Sequence, residues 1–126
     1  MKRDMDLIRT LLLRIEQPDD PDMDDLLDKA SPDLDSKRIA YHLSIMVDAG
    51  FIKGIDARTN DGPDWLALQL TWKGNEFLGT IRDPEVWEKT KTGVRKFGDI
   101  SIDLFQELAK GFLKTKIEEL TGVKLS

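Results

Sequence analysis

The stretch Ile39-Ala40-Tyr41-His42-Leu43-Ser44-Ile45-Met46-Val47-Asp48-Ala49-Gly50-Phe51-Ile52 decides how the chain reads. Ile39, Leu43, Met46 and Val47 recur at helical spacing, which predicts a buried helix face and leaves Lys37, Arg38, Tyr41 and Ser44 mostly outward. Asp35 or Ser36 is a suitable N-cap, and the helix is expected to run to about Ala49. Gly50 stands where a left-handed terminating residue belongs, and the apolar Phe51-Ile52 follows at once, so the helix is expected to lead straight into a strand.

Working outward, residues 51–57 and 65–71 are both apolar-rich, and Thr59-Asn60-Asp61-Gly62-Pro63 between them is turn chemistry. The pair reads as an antiparallel hairpin turning at 60–62. Upstream, Met5, Ile8, Leu12 and Ile15 mark a first helix over 4–16, stopped by Gln17-Pro18-Asp19-Asp20-Pro21. Residues 22–29 form a short second helix, and Ser31-Pro32-Asp33 a turn. Downstream, Thr71 caps a fourth helix to about Ile81, and Asp83-Pro84 opens a fifth to about Lys96 with Pro at the favoured first position. Ser101 or Asp103 opens a last helix whose broad stripe, Phe105, Leu108, Ala109, Phe112, Leu113, Ile117 and Leu120, ends at Gly122. The expected class is mainly α with a small β-hairpin (α+β), as one domain of 126 residues: a core over 1–82 and a helical extension over 83–126.

The order helix, helix, helix, hairpin, helix is that of a winged helix, in which the third helix enters the major groove and the hairpin lies beside the backbone. The quoted stretch resembles the recognition-helix-to-wing segment of small bacterial winged-helix repressors. Leu70-Thr71-Trp72-Lys73-Gly74-Asn75-Glu76-Phe77-Leu78 resembles their exit from the wing. Nearly the full chain also resembles a family of bacterial and prophage-encoded proteins classed as a domain of unknown function. That resemblance rests on Met1 to Arg9, Tyr41-His42-Leu43, Ala49 to Ile52, the Leu70–Leu78 exit, Ile81-Arg82-Asp83 and Val86-Trp87. It implies a winged-helix-like fold and a prophage context, and no activity.

Composition narrows the chemistry. With no Cys there are neither disulfides nor thiolate metal sites, and one His leaves little material for a zinc site or a His-paired nucleophile. No cofactor, no metal and no catalysis are expected. His42 is expected as a packed ring at the edge of the third helix, bonded to backbone or phosphate, and Trp65, Trp72 and Trp87 as packing residues. Asp20, Asp22 and Asp24 imitate the start of a calcium loop, but Asp25 stands where Gly is needed and Ser31 where the bidentate Glu is needed. No apolar run is long enough to cross a bilayer, and residues 1–16 interleave charges where a signal peptide is uniformly apolar, so a cytoplasmic address is expected.

The net charge of −5 argues against indiscriminate nucleic-acid binding. It is uneven: residues 1–35 carry 5 basic and 11 acidic side chains, residues 36–82 carry 6 and 5, and residues 83–126 carry 8 and 8. Two functions follow as expectations. The first is a non-enzymatic DNA-binding regulator, phage- or prophage-linked, touching double-stranded DNA through Lys37, Arg38, Tyr41, Ser44 and Arg58. The second is a protein-interaction module whose acidic Asp19–Asp28 segment meets a basic protein partner. In the first, a homodimer is expected through Phe105, Phe112, Leu113 and Ile117, because two-fold DNA sites call for two-fold proteins.

Overall fold

The computed structural model describes residues 1–29 and 36–125. The elements are α1 (Met5–Ile15), α2 (Met23–Lys29), α3 (Ser36–Asp48), β1 (Ile52–Asp56), β2 (Trp65–Leu70), α4 (Trp72–Ile81), α5 (Pro84–Arg95) and α6 (Ile102–Thr121). The described residues are mainly helical, with one two-stranded antiparallel sheet among them. The turn expected at Ser31–Asp33 and the cap expected at Asp35 lie outside the described residues. The chain divides into two compact units, one ending at Leu78 and the other beginning at Gly79.

In the first unit, α1 starts where Asp4 accepts a hydrogen bond from the Leu7 amide. That satisfies one of the N–H groups the first turn leaves open. Its apolar residues Leu7, Ile8, Leu11, Leu12 and Ile15 are all buried. They share the core with Met23 and Leu26 of α2, Ile39, Leu43 and Met46 of α3, Phe51, Ile52, Leu68, Phe77 and Leu78.

The junction of helix, hairpin and exit is one tightly built joint. Gly50 has φ +81° and its amide bonds to the Val47 carbonyl, while the Phe51 amide reaches the Met46 carbonyl at 3.0 Å. This is the left-handed helix ending that Gly tolerates best. The Thr71 amide donates to the Phe51 carbonyl at 3.0 Å, its hydroxyl bonds to the Gly50 carbonyl, and the same hydroxyl accepts from the Gly74 amide at 3.0 Å. A Cβ on Gly74 would stand 1.9 Å from the Phe51 carbonyl oxygen. Phe51 and Phe77 stack with ring centres 4.7 Å apart. The two stretches singled out in the sequence are thus the two halves of one contact.

The hairpin pairs Ile52 with Leu70, Lys53 with Gln69, Ile55 with Leu66 and Asp56 with Trp65, closed by a Thr59–Gly62 bridge. Register slips between Lys53 and Ile55. There Ala67 takes φ +52°, and its amide donates to the Asp22 carboxylate at 2.8 Å. The next amide, Leu68, donates to the Pro21 carbonyl at 2.9 Å. A bulge leaves ladder groups unpaired, and here the loop after α1 supplies the partners.

In the second unit, Asp83 caps α5 and Ser101 caps α6, each accepting from the amide three residues on. Trp87 meets Phe105 at 5.4 Å between ring centres, and Ala109 and Thr90 are buried. Gly93 lets α5 approach closely, since a Cβ there would lie 3.2 Å from the Leu108 side chain. Gly122 ends α6 at φ +73°.

Candidate nucleic-acid interface

α3 presents three different sides. Ile39, Ala40, Leu43 and Met46 are buried; Lys37 and Ser44 are exposed; Tyr41 is half-buried, its ring edge-on to His42 at 5.3 Å. Positions 37, 41 and 44 lie within one narrow sector of a helix that turns 100° per residue. A cation, a phenol and a hydroxyl therefore share one outward face, the set that donates to phosphate oxygens and base edges.

Arg38 stands on the flank of this face and is ion-paired with Asp4, both side chains being partly exposed. His42 is fully buried on the same flank. Its Nδ1–H donates to the Arg38 carbonyl at 2.8 Å, and its Nε2 accepts from the Asp4 amide at 2.8 Å. Each partner dictates one ring nitrogen's role, so the tautomer is set and the imidazole works as a rivet between α3 and the start of α1. The expectation from sequence is a ring at the helix edge bonded to backbone or phosphate; the ring is instead fully buried, both its partners are backbone, and one of them lies 38 residues away.

Arg58 follows β1 and is held to Asp56: its amide and guanidinium reach the two carboxylate oxygens at 3.1 and 3.0 Å. The Arg58 amide, more than the guanidinium, pulls the Asp56 carboxyl below its ordinary value. The pair is well exposed, and such solvent-screened pairs contribute little to stability.

The acidic segment is largely tied into the first unit. Asp19 holds Arg14 through two bonds of 3.0 and 2.9 Å, Asp20 accepts from the Gln69 amide group at 3.0 Å, Asp22 accepts from Ala67, and Asp25 accepts from the Asp22 amide. Among the described residues, no group of three or more His, Cys, Asp or Glu side chains is arranged to hold a metal ion.

On α6 the stripe changes character along its length. Phe105 is buried against Trp87, Phe112 and Leu113 are half-buried, Ile117 is 37% exposed and Leu120 76%. Phe105 therefore lies in the interior of its own unit. Trp72, expected as a packing residue, is 80% exposed. It opens α4 on the side opposite Gly74, Phe77 and Leu78, which turn the helix's apolar face inward. No helix among the described residues is long and apolar enough to cross a membrane.

A family model described as "Hypothetical protein (DUF2513)" matches residues 2–100. The chain is also 35% identical over 111 residues to an uncharacterized protein of Haemophilus influenzae, covering 87% of this chain and 93% of that relative. No solved structure matches.

Proposed function

The chain belongs to the DUF2513 family, and we propose that it is a non-enzymatic, winged-helix DNA-binding protein that regulates transcription in a phage or prophage context and works in the cytoplasm. The observation that carries this reading is α3 itself, the third helix before a hairpin, with Lys37, Tyr41 and Ser44 gathered on its outward face. In a winged helix that face reads the major groove and the hairpin, here with Arg58, lies along the backbone. Arg38 contributes from the flank while anchored to Asp4.

The alternative, an acidic surface for a basic protein, is less well supported. Asp19, Asp20, Asp22 and Asp25 are engaged in holding the loop and the hairpin. We further propose a homodimer through the C-terminal half of α6, where Phe112, Leu113 and Ile117 are incompletely covered. Two copies related by a two-fold axis would present two α3 helices to a palindromic site.

The test is a selection of genomic fragments by the purified protein at low and at moderate salt. Enrichment of a discrete inverted repeat is the expected result. Recovery of no fragment at low salt would overturn the reading.

A further inference from the structure

We infer that Lys2 and Arg3 form a phosphate-gripping arm beside α3, so that the DNA contact surface includes the residues that precede α1. This deepens the proposed DNA-binding reading and rests on it. Both side chains are exposed. Their place is set by the next residue: the Asp4 amide bonds to the buried His42 ring, and the Asp4 carboxylate pairs with Arg38. Three residues span at most about 10 Å, so the arm stays close to the α3 flank that carries positions 38 and 42.

That flank has a definite relation to the outward face. At 100° per residue, Arg38 lies about 60° around the helix from Tyr41, and His42 about 100° from it. A helix with its side chains is roughly 10–12 Å across and the major groove about 12 Å wide, so a helix lying in the groove turns its flanks to the groove walls, which are phosphate. The arm is thus attached on a side of α3 that meets backbone, where a cation positions the protein without reading sequence.

Charge supports the same assignment. Asp4, the acid adjoining the arm, is already shared between Arg38 and the Leu7 amide. Lys2 and Arg3 double the cations that α3 supplies through Lys37 and Arg38, in a chain whose net charge is −5.

The experiment is a salt series of fluorescence anisotropy titrations on a duplex recovered by the genomic selection and on a scrambled duplex. The wild type is compared with the Lys2→Ala/Arg3→Ala double variant. Each phosphate contact contributes about 0.9 to the slope of log affinity against log salt. Loss of both contacts lowers the slope by about 1.8 and weakens binding on the order of tenfold at about 0.1 M salt, equally on both duplexes. The charge-preserving Lys2→Arg/Arg3→Lys variant keeps affinity and slope. Unchanged slope and affinity in the alanine variant would overturn the arm while leaving the α3 reading intact, and so would equal loss in the charge-preserving variant. A wild type that binds neither duplex at low salt would overturn both.

Discussion

Gly74 shows how much a single residue decides. A methyl group there would overlap the Phe51 carbonyl, and the obstacle is backbone with no rotamer to yield. Gly74→Ala is expected to destabilise the first unit by about 3 kcal/mol, the upper part of the usual overpacking range, since it overpacks a joint that also holds the Phe51–Phe77 stack. Urea unfolding followed by tryptophan fluorescence measures it. A loss under about 0.5 kcal/mol, the range of an ordinary surface exchange, would contradict the close approach of α4 to the Phe51 carbonyl.

Gly50 and Thr71 were legible in advance, because they act within a few positions of a helix end, whereas Gly74 stood in the quoted exit stretch with nothing local to reveal its approach to Phe51. Ala67 was not legible either. Its positive φ is compensated by an aspartate 45 positions earlier, a pairing that no local propensity encodes. Trp72 misled for the opposite reason: its type suggests burial, while its place at the head of α4 turns it outward.

At the scale of elements, helix periods, caps and turns brought each boundary close to its observed position, with α3, the hairpin and α6 ending at or within two residues of their glycine or turn signals. The ties between elements were less readable. Asp83, foreseen as a cap, also binds Lys116 through both oxygens at 2.8 and 2.9 Å, joining the start of α5 to the far half of α6. The ammonium of Lys116, helped by the Val86 amide, keeps the Asp83 carboxyl below its ordinary value, and Asp83 in turn raises Lys116.

A depressed carboxylate stabilises the fold above its unfolded value of about 4, and that contribution fades as pH falls through the lower folded value. The raised lysine contributes below about 10.4 and is lost as pH rises through its higher folded value. In Lys116→Met, the Asp83 carboxyl resonance should titrate closer to an ordinary aspartate. An unchanged Asp83 titration would show that the α5 amides alone hold it down.

For the whole molecule, two proposals meet: a face on α3 for DNA and a surface on α6 for a second copy. Ile117, exposed in the single chain, is the sharper probe of the latter. Ile117→Glu leaves the buried Phe105 and Ala109 untouched, yet would place an unpaired charge in any α6 interface, at a cost of several kcal/mol in order of magnitude. Sedimentation equilibrium should then find a dimeric wild type and a monomeric variant with the same melting profile at high dilution. A wild type with the mass of one chain at the highest soluble concentration would remove the dimer and, with it, the requirement for a palindromic site.

Sequence could suggest the α3 face from its spacing, but it could not show that Arg38 is shared with Asp4 or that Asp19, Asp20 and Asp22 are already occupied. Those facts shift the balance between DNA and a basic protein, and they depend on the assembled fold. The most direct measurement is the affinity of the wild type and of Lys37→Ala/Tyr41→Phe for a genomic duplex at about 50 mM salt, low enough for phosphate contacts to count fully. This variant spares the Arg38–Asp4 pair and keeps the Tyr41 ring beside His42. Tight wild-type binding, weakened in the variant by roughly 30-fold or more (about 2 kcal/mol or above), is the predicted result. Equal affinities, or a wild type that does not bind, would contradict it.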